Sequence, residues 1–278
     1  MLTKETLTQA LRGFTIEKNA VLLVHSSLKS LGQIDGGAET VIKALRETVC
    51  DGTLVMPTLS SKNWETVFQD WSIDRPSDTG LITETFRLQE NSYRSDNETH
   101  SVAASGVFAQ DLTSGKKNAG ARYGIFGDYC FSTQSAWQRM YDSRTRYGVK
   151  AYVLFWGVSM LYNTFKHFAE YRFVEELLTN IKDKNTRAEL KAELSHYPFS
   201  PTAQPWELVW PFYDSFAYQD ELLKRGILKK IQVGKGEILC ADVFDSVNAV
   251  EKDLRERSKE MLYEKAYAWV EKARNAGK

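Results

Sequence analysis

Three short segments of this chain carry side chains able to do chemistry, and each holds a histidine. The first is Thr164-x-x-His167-x-x-Glu170. Residues three apart on a helix share a face, so Glu170 can accept a hydrogen bond from one imidazole nitrogen of His167. That contact fixes the tautomer, raises basicity and aims the other nitrogen, as a general base near neutral pH requires. The second is Val24-His25-Ser26-Ser27-Leu28, followed by Asp35-Gly36-Gly37-Ala38. An apolar run that stops at two hydroxyls, with a glycine-opened helix beyond it, suits a phosphate or a thioester arm. The third is Arg94-Ser95 with His100-Ser101-Val102-Ala103-Ala104. Small residues let a ligand lie against the chain, His100 can donate to a phosphate or a carbonyl, and Arg94 supplies a planar charge. Each segment also has a plainer reading: a solvated His–Glu pair, a hydroxyl-stitched turn and a histidine satisfied within its own turn.

The elements around these residues follow from periodicity. Ala20–Val24 reads as a buried strand, and Ala38, Val41, Ile42 and Leu45 recur at helical spacing. Asp51-Gly52 marks a turn before the strand Thr53–Met56, which Pro57 ends. Strand, helix and strand over this length form a βαβ unit with parallel strands and a right-handed crossover. Ala151–Trp156 is another strand, and a helix capped by Thr164 follows, its apolar face formed by Phe165, Phe168, Ala169, Val174, Leu177 and Leu178. Ligands of such sheets bind beyond the carboxyl ends of the strands. His25-Ser26-Ser27 and Thr164–Glu170 both fall there.

The remaining chain reads as a helix from Thr3 to Arg12, an aromatic long loop or short helices over 60–76, a short helix over Thr83–Gln89 and a strand or buried segment over Ser101–Ala109. A charged helix follows over Lys182–Ala192, and then an irregular stretch with Pro198, Pro201, Pro205 and Pro211. A hairpin about Gly234-Lys235-Gly236 precedes one long helix from Asp242 to Ala276. This predicts one domain over residues 1–278 with a proline- and aromatic-rich insertion at about 180–220.

Composition narrows the class. Of 278 residues 42% are hydrophobic, enough for a sizeable core. The 36 basic and 36 acidic residues cancel, against the basic excess of a nucleic-acid binder. Cys50, Cys130 and Cys240 are far apart and form no Cys-x-x-Cys pair, as in a cytosolic protein. No secretory leader is visible between Met1 and Glu17, and no apolar run nears the roughly 20 residues of a membrane span. A cytoplasmic protein without a membrane partner is the expectation. Gly234-Lys235-Gly236 is not a Walker loop, and His167/Glu170 lacks the second histidine of a His-Glu-x-x-His zinc site. No metal is expected: a site assembled from His25, His100 and His167 is geometrically possible, but no spacing argues for it.

Taken together, the three segments resemble the aminoglycoside 3-N-acetyltransferase family. The matching residues are His25-Ser26-Ser27-Leu28-x-x-Leu31-Gly32 with Gly36-Gly37-Ala38, Gly52–Thr58, Arg94-Ser95 with His100–Ala104, and Gly157-Val158 with Thr164-x-x-His167-x-x-Glu170. The resemblance runs from about Ala20 to Glu170 and more loosely through the C-terminal hairpin and helix. It implies an α/β enzyme of three-layer α/β/α architecture, with a mixed, largely parallel central sheet. It also implies acetyl-CoA as cosubstrate and an amine of an aminoglycoside or amino-sugar as acceptor. Carried over by position, His167 is the base and Glu170 its orienting partner. His25, Ser26, Ser27, Leu28, Arg94, Ser95, His100, Ser101, Val102 and Ala103 line the CoA site. Asp74, Asp78 and Asp128 offer charge to a cationic acceptor, and Trp64 and Trp71 offer faces to a sugar. Two departures bear on the acceptor: Asn97-Glu98 stands where the family usually has His-Pro, and Gly127–Ser132 replaces Gly-x-x-Ser-Pro. The rival readings are the same chemistry on a non-antibiotic metabolic amine, a metal-dependent hydrolase, and a non-enzymatic amine- or nucleotide-binding module.

Overall fold

The structure is a computed structural model that describes residues 1–60, 70–122, 129–194 and 212–278. In chain order the elements are α1 (Lys4–Leu11), β1 (Val21–Ser26), α2 (Gly37–Thr48), β2 (Thr53–Pro57), α3 (Leu81–Arg87), β3 (Tyr93–Arg94), β4 (Val102–Gly106), α4 (Ala109–Thr113), α5 (Ala136–Tyr141), α6 (Ser143–Arg146) and β5 (Ala151–Trp156). They continue with α7 (Phe165–Asn180), α8 (Lys184–Leu194), α9 (Ser215–Lys224), β6 (Leu228–Val233), β7 (Gly236–Asp242), α10 (Val243–Glu256), α11 (Ser258–Met261) and α12 (Glu264–Ala276).

Seven strands form one sheet in the order β3-β4-β2-β1-β5-β7-β6. The centre is parallel: β1 pairs with β2 from Val21↔Thr53 and with β5 from Val21↔Ala151 to Ser26↔Trp156. The margins are antiparallel, with β4 on β2, β3 on β4, β7 on β5 and β6 on β7. The sheet is mixed, as expected, but its parallel part is confined to β2-β1-β5. Successive strands without an intervening crossover helix pair antiparallel, and that is how the β3–β4 and β6–β7 margins arise.

Both faces of the central strands are buried, hence their near-continuous apolar runs. Leu22 and Val24 pack with Leu7 and Leu11 of α1, Val41, Ile42 and Leu45 of α2, and Ile82 and Phe86 of α3. Val21 and Leu23 pack on the other side with Trp137 and Met140 of α5, Phe165 and Phe168 of α7, and Val247 and Val250 of α10. This is the three-layer α/β/α arrangement. Thr3 caps α1 by accepting from Thr6 N, as its position predicts.

The C-terminal helix is not continuous. The chain leaves helical geometry at Arg257 and again at Leu262, dividing the expected span into α10, α11 and α12. No proline or glycine marks the breaks. Tertiary hydrogen bonding makes the second one: Leu262 bridges Tyr213, and Tyr263 N donates to the Phe212 carbonyl at 2.8 Å. Of the proline-rich stretch, residues 195–211 lie outside those described, and so does His196. Among the described residues, no helix is long and apolar enough to cross a membrane.

Candidate active site

β1, β2 and β5 end together, and the chain leaving each of them contributes to one cleft of about 610 Å³. His25, Ser26, Ser27, Leu28 and Lys29 line it from β1, Pro57 and Leu59 from β2, and Val158, Tyr162 and Thr164 from the segment after β5. Its fourth wall is Asp78–Thr83, at the start of α3. The N-terminus of α2, expected to serve an anion here, does not line this cleft. It is tied instead to the chain's start, with Leu2 bridging Ile34 and Asp35 N donating to the Leu2 carbonyl. Gly36 nevertheless has a conformational job: its φ is 71°, and a Cβ there would sit 2.5 Å from Thr40 Oγ1.

The loop after β1 is braced from behind. Lys235 N donates to the Leu31 carbonyl at 3.0 Å, and a Cβ on Gly234 would meet that carbonyl oxygen at 2.3 Å. The Gly234-Lys235-Gly236 turn thus holds the Ser27–Leu31 loop from outside the cleft. Within that loop Ser30 Oγ donates to Ser27 Oγ at 2.7 Å, so the Ser27 hydroxyl keeps its own proton to give. Ser27 N is spent on the Trp156 carbonyl.

His25 is buried and stacked on Phe155 at 5.6 Å. Burial pushes its pKa down to about 3, so it is neutral. It therefore presents a neutral imidazole to the cleft, not a cation for a phosphate.

At the start of α7 the expected pair forms. His167 Nδ1 lies 2.9 Å from Glu170 Oε2. The His167 side chain is 17% exposed and that of Glu170 is 0% exposed. Phe212 N donates to Glu170 Oε1 at 2.7 Å, a partner no local sequence pattern announces. Burial pushes the Glu170 carboxyl up to about 8, opposed by Lys166 and by the Phe212 N–H. Burial, together with Lys166, drives His167 well below the usual imidazole value. Both directions favour the uncharged pair over the ion pair. Thr164 is not the cap: its φ and ψ of −65° and −27° are already helical. Asn163, extended at its ψ of 102°, takes that role by accepting from Phe165 N at 3.1 Å.

The second block lies beside the pair, but most of it is structural. The His100 ring is 6.4 Å from the His167 ring and 4.9 Å from Phe131. Burial and the neighbouring His167 keep His100 well below its ordinary pKa. Asn97, where the family usually has histidine, accepts from Thr99 N and His100 N and so builds the turn that presents His100. Glu98 is buried and paired with Lys117.

Ser95, Ser101, Val102 and Ala103 do not reach the cleft as expected. Ser95 Oγ accepts from Val102 N, Ser101 Oγ donates to the Thr58 carbonyl, and Val102 and Ala103 are buried in opposite core clusters. Their polar atoms close the β3–β4–β2 margin. Arg94 is likewise engaged. Its guanidinium donates to the Ile73, Arg75 and Thr58 carbonyls and to the Ser60, Ser101 and Thr58 hydroxyls, and it packs on Trp71 at 4.8 Å. Arg94→Ala is expected to lower stability by about 2–4 kcal/mol, since it strands several carbonyls. Arg94→Lys recovers only part of that, because an ammonium lacks the fork. Thermal melts check both. A raised KM for acetyl-CoA with an unchanged melt would restore the ligand-binding role.

Of the acceptor candidates, Asp78 lines the cleft itself, and Asp74 is exposed. Trp71 donates to Asp96 at 2.8 Å. Trp64 and Asp128 lie outside the described residues. No disulfide joins Cys50, Cys130 or Cys240, and among the described residues no three His, Cys, Asp or Glu side chains are arranged to hold a metal ion.

The mixed α/β/α sheet thus sets a His–Glu contact in the first turns of the helix that follows its parallel strand β5. A family model described as aminoglycoside 3-N-acetyltransferase matches residues 23–255. The chain belongs to that family and is an acyltransferase. An SPbeta prophage-derived aminoglycoside N(3')-acetyltransferase-like protein, YokD, of Bacillus subtilis (strain 168) is 29% identical over 200 residues, 64% of this chain and 68% of that one. The apoenzyme of aminoglycoside acetyltransferase AAC(3)-IVa has the same fold, with a TM-score of 0.68 at 22% identity over 99% of this chain and 97% of that one. AAC-IIIb, solved as a binary complex with CoASH, has a TM-score of 0.65 at 18% identity over 92% and 97% of the two chains.

Proposed function

We propose that this protein transfers the acetyl group of acetyl-CoA directly to a primary amine of an aminoglycoside or related amino-sugar, with His167 as general base and Glu170 orienting it. The observation that carries the reading is the 2.9 Å His167–Glu170 contact one helical turn from Thr164, which lines the cleft. Family membership supports acetyl-CoA as the donor, and so does the CoASH bound by the AAC-IIIb structure.

The cleft suits the pantetheine arm. Leu28, Leu59, Ile82 and Val158 offer apolar wall, the hydroxyls of Ser26, Ser27, Thr79 and Thr83 offer partners for amides, and Lys29 stands exposed for a phosphate. A few placed polar groups in a mostly apolar concavity are what such a ligand requires. Lys29→Glu is expected to raise KM for acetyl-CoA about fivefold at low ionic strength with kcat unchanged, the difference shrinking in salt.

In the reaction the amine nitrogen attacks the thioester carbonyl and a C–N bond forms. His167 Nε2 takes the amine proton while the Nδ1–H stays on the Glu170 carboxylate. Collapse of the tetrahedral adduct breaks the C–S bond, and the departing sulfur takes up a proton to leave as CoA thiol. Ser27 Oγ, oriented by Ser30, is a hydroxyl donor that the cleft offers to this chemistry.

The test is thiol release from acetyl-CoA against a panel of amines including aminoglycosides and amino-sugars. Release that depends on one acceptor supports the reading and names the substrate. CoA binding without release for any acceptor overturns the acceptor class, and absence of CoA binding returns the non-enzymatic module.

A further inference from the structure

The carboxylate of Glu170 is held from outside its own helix. Glu170 and Phe212 are both fully buried, and the Phe212 N–H reaches Glu170 Oε1 at 2.7 Å while His167 takes Oε2. That amide lies just ahead of α9, where Phe212 and Tyr213 are tied to the break between α11 and α12. Tyr263 N donates to the Phe212 carbonyl at 2.8 Å, and Tyr213 bridges Leu262. Two hydrogen bonds in series, Tyr263 N to the Phe212 carbonyl and Phe212 N to Glu170, therefore connect the C-terminal helices to the carboxylate. The ties to Phe212 and Tyr213 also account for a break in helical geometry that no residue type in the sequence requires.

Resting on the assignment of Glu170 as orienting partner, we infer that the Tyr263 N–H is a positioning group for catalysis, holding the Phe212 amide on Glu170 so that the carboxylate form of the pair is available at working pH. A carboxylate that accepts a well-placed N–H is easier to ionise in a buried site. Loosening the amide disfavours the form that keeps the proton on His167 Nδ1 and leaves Nε2 as acceptor. Among the described residues, the other titratable groups facing Glu170 are Lys166 and His167 on its own helix and Tyr213 on the bridging segment, with Tyr218 of α9 against Tyr213.

The backbone at Tyr263 makes the test clean. Its φ is −59° and its ψ 148°, and Leu262 before it is extended at −83° and 148°. Both are compatible with proline at position 263. Tyr263→Pro removes the N–H, and Tyr263→Ala removes the side chain while keeping it. Replacing Tyr263 by its α-hydroxy acid, which puts an ester oxygen where the N–H was, keeps the side chain and serves if the proline variant does not fold.

The readout is the pH profile of kcat/KM. Tyr263→Pro or the ester is expected to move the midpoint up by about half a pH unit relative to Tyr263→Ala. Below the midpoint that is a loss of about threefold, largely recovered at high pH. In a Glu170→Gln background the same change is expected to leave the profile unmoved. A midpoint identical in the proline, ester and alanine variants overturns the inference. A Glu170→Gln enzyme with the parent's rate and profile overturns instead the assignment on which it rests.

Discussion

His167→Ala is expected to lower kcat by about three orders of magnitude at pH 8, with the Kd for CoA unchanged within about twofold. The size follows from what is removed. Without the imidazole, the amine proton must pass to water as the C–N bond forms, and general-base assistance is typically worth 10²- to 10⁴-fold. The unchanged Kd follows from placement. The cleft is lined by the ends of β1, β2 and β5, the start of α3 and Thr164, and His167 is not among its walls. The substitution also leaves the fold intact, because the His167 side chain is partly exposed while Phe165 and Phe168 carry the packing of α7. Single-turnover acetylation and isothermal titration with CoA measure the two halves separately. A variant retaining more than a tenth of the parent rate would remove His167 from the role of base. A large rise in Kd would instead make it a binding residue.

The pair was legible in the sequence because it is local: three residues on one helix decide it. The strands were legible because Val21–Val24, Thr53–Met56 and Ala151–Trp156 are buried on both faces and read as unbroken apolar runs. What tertiary contacts decide was not legible. Arg94, Ser95 and Ser101 match the family's pattern, yet Arg94 and Ser101 are satisfied by Thr58, with Ser60 a further partner of Arg94, and Ser95 is satisfied by Val102 N, the Arg94–Thr58 and Arg94–Ser60 pairings spanning more than thirty residues. Residue type gave them the chemistry of a ligand site, but register at the β3–β4 margin turned that chemistry inward. Phe212 was invisible for a related reason. Its contribution is a backbone N–H, which every residue but proline possesses. The break at Leu262 was missed because propensity there favours helix and only the bridge to Tyr213 opposes it.

Glu170→Gln carries the second large effect, in two opposed directions. Turnover is expected to fall by about 10³- to 10⁴-fold. A glutamine can accept from Phe212 N through its oxygen, but its amide then donates to His167 Nδ1. The imidazole proton is forced onto Nε2, the nitrogen that must accept, and a wrong tautomer in a comparable triad costs about 10⁴. Stability is expected to move the other way at alkaline pH. The folded-state pKa of Glu170, about 8, lies above the ordinary value of 4.5. Between those values the folded chain keeps a proton that the unfolded chain has released, so the parent loses stability as pH rises from about 4.5 through about 8. The neutral glutamine has no such loss. Relative to the parent, the variant should therefore gain on the order of a few kcal/mol between pH 5 and pH 8.5. The same titration shapes catalysis. Below about pH 8 the pair holds two protons and has no acceptor on Nε2. The parent kcat/KM should therefore rise with pH through that midpoint with a slope of one proton. An acceptor amine that titrates in the same range adds its own limb, and the residual activity of Glu170→Gln isolates it, since that variant has no carboxyl to ionise. Thermal melts of both proteins at pH 5 and 8.5, beside their pH–rate profiles, decide the matter. A variant that melts below the parent at pH 8.5, or a parent profile flat between pH 6 and 9, would mean that Glu170 is ionised throughout and that the pair works as a standing ion pair.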